Sequence, residues 1–313
     1  MVNEFYHHYA ERKKTWHNMT VWAIDGSTIP LPQTQELRAY FGGATNQWEN
    51  VYNVTARVCL ISDVLNDILI KGCLHSYSSS EEDDCVRLLE GENMSDKVLL
   101  FDRGYPSFWL EYWLIQKGAK FIMRVKKNEN RQIIQFLESE ADDMTSLWYP
   151  SYRSLKKLQT MGFQVNGRTS VRMRMVKVLL QTGEVEILIT NLYDTELYSV
   201  ASLKEAYHFR WGIETHYGTF KEKLQMGQFS GIRQICIEQD FAAGLFIYNL
   251  QSLIEKQNQP YLETVSRERK HRYQVNKNVS FAILKEYTVR LFLEQFDLSC
   301  TISIFRKPPQ YIR

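Results

Sequence analysis

The run KVLLFDRGYPS, residues 97–107, narrows the possible folds more than any other stretch of the chain. Its apolar residues follow one another without polar alternation. That is the pattern of a strand buried on both faces, in a sheet covered by helices, whose C-terminal end delivers a polar residue, here Asp102, to a cleft. A turn through Asp102, Arg103 and Gly104 is the competing reading of the same residues. A helix rich in Phe, Trp and Tyr is expected over 107–117, ended by Gly118, and AKFIMRV then reads as the next strand.

Upstream, residues 1–20 read as a short, mildly basic helix, and VWAIDGSTIPL as a strand carrying Asp25. Asp25-Gly26 is also a common turn signal. Against a turn, Thr28, Ile29 and Leu31 continue the extended pattern. VYNVTARVCL and ILIKGCLHSY form a hairpin. SSSEEDDCVRLLEG is a marked helix, with Ser80 as N-cap, acids in its first turn and Gly91 as its stop. Three strands, a helix, a strand, a helix and a strand therefore precede residue 126.

Residues 126–200 read as an insertion holding an acidic helical piece, NRQIIQFLESEADD, and a ribbon of SVRMRMVKVLL and EVEILITNL. Arg172 and Arg174 project from one side of that ribbon, where solvated charge is favoured slightly over contact with nucleic acid. Beyond residue 230, a buried helix is expected over 241–254. The basic stretch SRERKHRYQVNKN and an amphipathic helix over 281–296 follow.

A chain of 313 residues, 44% hydrophobic and 13% aromatic, buries a substantial core and is no disordered regulator. Its net charge of +2 leaves any polyanion to be held by local clusters. Five dispersed cysteines without a CxxC pair suit reduced thiols better than a disulfide frame or a zinc site. With no apolar signal region, the expected location is the cytoplasm.

Residues 201–225, ASLKEAYHFRWGIETHYGTFKEKLQ, read as one helix that places Tyr207, Arg210, Glu214 and Lys221 within an arc of about 60°. An acid flanked by two cations and a phenol suits a surface that holds a metal ion beside a phosphodiester. The ordinary alternative is an i,i+4 salt bridge between Arg210 and Glu214 on a solvated face. Gly212 and Gly218, each costing roughly 1 kcal/mol in a helix, suggest close approach by another element. Trp211 lies about 100° round from Arg210, which suits core packing.

DGSTIPLP, LFDRGYPS and YHFRWGIETHYGTFK together resemble the three catalytic blocks of DDE transposases of bacterial insertion sequences, in the branch marked by Tyr, Arg, Glu and Lys at the spacing of Tyr207, Arg210, Glu214 and Lys221. The resemblance covers about residues 20–230. It implies an α/β, ribonuclease H-like fold: a mixed five-stranded sheet flanked by helices, with a β-rich insertion before the last catalytic helix. The corresponding division is a short N-terminal segment (1–20), the first part of the core (21–125), the insertion (126–200), the catalytic helix (201–230) and a C-terminal helical region (231–313).

By the same resemblance, Asp25, Asp102 and Glu214 are the metal-binding and catalytic triad, taking two Mg²⁺ ions about 3.5 to 4 Å apart for which Mn²⁺ can substitute. Tyr207, Arg210 and Lys221 are similar to residues that contact transposon-end DNA. Some members use tryptophans to hold a flipped base, for which Trp211 and Trp148 are the candidates. The implied activity is cleavage at transposon ends and transfer of the 3′-hydroxyl into target DNA. The implied partners are double-stranded DNA and further copies of the chain, as a homodimer or larger synaptic complex. A nuclease without strand transfer and an inactive DNA-binding remnant are the alternatives. Only 24 residues precede Asp25, fewer than the DNA-binding region that such proteins usually carry, so the resemblance supports the chemistry more firmly than recognition of a particular end.

Overall fold

The computed structural model describes residues 2–45, 52–180, 182–267 and 275–284. Strand β1 (Thr20–Pro30) lies at the centre. It pairs antiparallel with β3 (Tyr52–Asp63) and parallel with β5 (Lys97–Phe101). Beyond β3 stands β4 (Ile68–Ser76), and beyond β5 stands β6 (Lys120–Val125), again parallel. The order β4-β3-β1-β5-β6 is the mixed five-stranded sheet expected from the sequence.

That sheet does not stop at five strands. A short β2 (Gly43–Thr45) pairs with the start of β3. On the other side β9 (Val185–Thr190) pairs antiparallel with β6, followed by β8 (Val171–Leu179) and β7 (Asp143–Trp148), making nine strands in one sheet. The ribbon read from residues 170–192 thus extends the core sheet edgewise.

Side-chain alternation along β1 sorts the core into two layers. Trp22 and Ile24 face α3 (Glu81–Leu89) and α4 (Phe108–Gln116), joined there by α5 (Arg131–Glu138) and α6 (Tyr152–Thr160). Val21 and Ala23 face the opposite layer, which holds α2 (Gln35–Phe41), α7 (Val200–His208), α8 (Trp211–Gly218) and α9 (Gln234–Ser266). The N-terminal α1 (Val2–His8) precedes β1. Capping follows the sequence: the Ser80 hydroxyl accepts the Asp83 N–H, and Gly91 and Gly118 adopt positive φ just beyond their helices.

Four expectations are corrected. The stretch 201–225 is not one helix. Successive i→i+3 bonds (Arg210 N to Tyr207 O, 3.0 Å; Gly212 N to Phe209 O, 2.9 Å) tighten the chain between α7 and α8, and a π-helical turn, Thr219–Lys223, follows α8. A uniform 100° per residue therefore does not hold across it. Arg174 is not solvated: it is 1% exposed, bidentate to Asp143 at 2.6 and 2.9 Å, and donates to the carbonyls of Leu192 and Tyr198. Arg172 alone is exposed, over the Tyr193 ring. Trp211 is 55% exposed and Trp148 is 4% exposed, the reverse of a packed Trp211 and an available Trp148.

Gly212 meets its expectation, since a Cβ there would stand 3.1 Å from Val64, whereas one on Gly218 would meet nothing within 4 Å. The four described cysteines are free thiols. In the basic stretch, residues 268–274 lie outside the described residues, and Lys277 pairs with Asp67 at 3.2 Å. Beyond residue 284, the helix expected over 281–296 also lies outside them.

Candidate nucleic-acid and metal site

The last parallel pair between β1 and β5 is Ile24 with Phe101, and one residue further on each strand stand Asp25 and Asp102. Both share the face of Val21, Ala23, Val98 and Leu100, toward α7 and α8. Asp25 lies within the strand, opposite Leu60 of β3, and Asp102 opens a turn closed by the Tyr105 N–H on its carbonyl at 3.1 Å. For Asp102, strand end and turn are both right.

Their surroundings differ. Burial pushes the Asp25 carboxyl up to about 6, helped by the charges of Glu81 and Asp102 and opposed by the Gly26 N–H and Arg210. One oxygen accepts that Gly26 N–H at 2.9 Å, and the other has no hydrogen-bond partner among the described residues. Burial works the same way on Asp102. There the Arg103 N–H and the Arg124 and Arg210 guanidiniums outweigh it and hold the carboxyl below the usual range. Arg124, on β6, donates to Asp102 at 3.0 and 2.8 Å and pairs on its far side with Glu186 of β9 at 2.5 Å.

The signature residues reach this cleft from the helical layer that the two aspartates face. The Tyr207 hydroxyl donates to Asp102 at 3.4 Å. Arg210, 3% exposed, pairs with Glu214 at 2.8 Å and acts electrostatically on both Asp25 and Asp102. Lys221 donates to the Ser27 hydroxyl, two residues beyond Asp25. Burial lowers the proton affinity of Lys221, and the charge of Asp25 works against it. Exposed Trp211 lies under the Arg210 guanidinium at 5.5 Å.

Sequence reasoning passed over Tyr217, whose hydroxyl donates to the Asp25 carbonyl at 2.7 Å and ties α8 to β1. It also passed over Arg124 and Glu186. An arginine directly after the apolar run Phe121–Met123 was the available signal for the first, and nothing local marks the second.

Among the described residues, no three His, Cys, Asp or Glu side chains are grouped closely enough to hold one metal ion. Asp25 and Asp102 nonetheless fit a hard cation in their chemistry. They are two neighbouring oxygen donors, one of which has, among the described residues, an unpartnered oxygen and a proton affinity raised by burial. Glu214 faces Arg210 and must turn to join them.

The matched family model, described as a transposase DDE domain, spans residues 16–250. The chain is 23% identical over 247 residues to the transposase InsG for insertion sequence element IS4 of Escherichia coli K12, covering 78% of this chain and 54% of that one. It is 30% identical over 132 residues to the putative transposase InsZ of the same organism, covering 40% and 44%. The chain thus spans about half the length of the curated relatives it matches. A piggyBac transposase, solved in a synaptic complex with hairpin DNA, superposes with a TM-score of 0.48 and 11% identity, over 93% of this chain and 58% of that one. No helix among the described residues is long and apolar enough to cross a membrane. With the family model matching most of its length, including every residue of the cleft, the chain belongs to the DDE transposase domain family.

Proposed function

We propose that this chain cleaves DNA at transposon ends and joins the freed 3′-hydroxyl to target DNA, with Asp25, Asp102 and Glu214 as its metal-binding acids. The observation that carries the reading is the placement of Asp25 and Asp102 one residue beyond the last pair of the adjoining parallel strands β1 and β5, beside Arg210, Glu214 on α8 and Lys221 in the turn after it. Mg²⁺ is the expected cation and Mn²⁺ its substitute. Bound there, it supplies positive charge to the scissile phosphate and acidifies the attacking water or hydroxyl.

The remaining work falls to the chain's own groups. Arg210 pairs with Glu214 and acts electrostatically on Asp25 and Asp102, so turning Glu214 away frees its guanidinium for a phosphate oxygen. Lys221 holds a second phosphate further along β1, where the nearby Ser27 hydroxyl orients its ammonium. Tyr207 and Arg124 both donate to Oδ1 of Asp102, so that its carboxylate meets the substrate preorganised. Trp211, exposed beside Arg210, offers a face on which an unpaired base can stack. Double-stranded DNA is the proposed partner, bound by a homodimer or larger complex that pairs two ends.

A pre-cut end incubated with target DNA and Mg²⁺ tests the reading. Joined products support it, cleavage without joining identifies a nuclease, and binding with neither identifies an inactive remnant. In the active case Asp25→Ala, Asp102→Ala and Glu214→Ala each abolish the products while retaining DNA binding. Unchanged activity in all three contradicts the assignment.

A further inference from the structure

Glu81 begins α3, in the layer opposite α8, and its carboxylate lies beside Gly26 of β1 and Gly104 just beyond β5. A Cβ built on Gly26, the residue after Asp25, would stand 2.8 Å from the Glu81 carboxyl carbon and 2.9 Å from its Oε1. One built on Gly104, two residues after Asp102, would stand 3.4 Å from Oε2. The two oxygens thus lie against the backbone beside each of the two acids, and any side chain at Gly26 would push the carboxylate away. Arg57 of β3 holds Oε1 at 2.7 Å and also donates to the Tyr77 carbonyl at 3.3 Å.

From this placement we infer that Glu81 is a fourth carboxylate of the divalent-cation site, approaching Asp25 from the face of the sheet opposite Glu214. The inference rests on the proposed cation site at Asp25 and Asp102. An acid that only caps a helix gains nothing from lying over Gly26 and Gly104. Favourable N-terminal charge is already supplied by Glu82, Asp83 and Asp84 in the same turn. Arg57 serves as countercharge on one oxygen, while Oε2 has no hydrogen bond among the described residues and is the donor left to a cation. Sequence reading took this acid for a helix-start signal, because nothing in SSSEEDDC separates Glu81 from its neighbours.

The test is Mn²⁺ binding to the full chain, read by electron paramagnetic resonance of the free ion, on wild type and on Asp25→Asn, Glu81→Gln and Arg57→Met. Ligation by Glu81 weakens Mn²⁺ affinity about ten- to a hundredfold in Glu81→Gln. Arg57→Met, which removes the competing cation and keeps the carboxylate, binds at least as tightly as wild type. If Glu81 acts only through its ion pair, Arg57→Met and Glu81→Gln lose affinity together, which overturns the inference. Wild-type affinity in Glu81→Gln with binding lost in Asp25→Asn overturns it while leaving the proposed function standing. No binding by the wild type removes the proposed function and this inference with it.

Discussion

Asp25 and Asp102 stand one step beyond the same pair of residues on adjoining strands, yet the two flanks of the cleft treat their charges in opposite ways. On the β5–β6 flank, Arg124 and the Arg103 N–H stabilise an ionised Asp102, and Tyr207 adds a donor. On the β1 flank, Asp25 has a single backbone donor, a neighbouring Glu81 and a raised proton affinity. One flank is thus preorganised by protein cations, while the other leaves a half-buried carboxyl that gains from an external one. The difference teaches where a cation contributes most, because binding at Asp25 relieves a destabilised charge and binding at Asp102 competes with guanidinium groups already in place.

The sharpest way to break this comparison is to neutralise each acid in turn. Asp25→Asn and Asp102→Asn are each expected to lower metal-dependent DNA cleavage by at least about 10³-fold. Only Asp25→Asn also removes most of the metal affinity measured by calorimetry. Equal affinity losses erase the distinction between the flanks. Next in size, Arg124→Met is expected to cost about 10- to 100-fold in cleavage and to move the acid limb of its pH profile upward, because Asp102 loses the guanidinium that keeps it ionised. An unmoved acid limb contradicts that role.

Stability in chelator gives a third and smaller comparison. Asp25 binds its proton more tightly folded than unfolded, so its contribution falls as pH rises from its ordinary value near 4 toward about 6, and the full penalty persists above that. Asp25→Asn is therefore expected to raise stability by roughly 1 to 3 kcal/mol at pH 7 and by little at pH 4, read from denaturant midpoints. For Asp102 the sign reverses. Its lowered folded value contributes stability at neutral pH that is lost as pH falls through that value, so Asp102→Asn destabilises at pH 7. Smallest of all, Lys221→Ala is expected to weaken DNA binding by about 0.5 to 1.5 kcal/mol, with no change in the pH profile set by Asp102. A shift of that profile would place Lys221 on the wrong flank.

Much of this arrangement is legible in the chain itself, because local pattern and burial agree. The apolar run before Asp102 demands a covered strand, and Ser80, Gly91 and Gly118 punctuate helices where the physics of caps requires them. What escapes is whatever depends on contacts distant in sequence. Arg174 resembles a solvated charge until Asp143 and the carbonyls of Leu192 and Tyr198 close over it. Trp211 looks like core by helical phase, but the tight turn around Arg210 changes that phase and has no local sequence mark. Glu186 and Glu81 reach the cleft only because β9 extends the sheet and α3 packs beside Gly26.

The most direct measurement is the anomalous scattering of Mn²⁺ in crystals of this chain bound to a transposon-end duplex. Density within about 2.0 to 2.2 Å of both Asp25 and Asp102 oxygens, with the Arg210–Glu214 pair opened, is the expected result. Mn²⁺ bound elsewhere, or DNA engaged while both aspartates remain without a cation, contradicts the account.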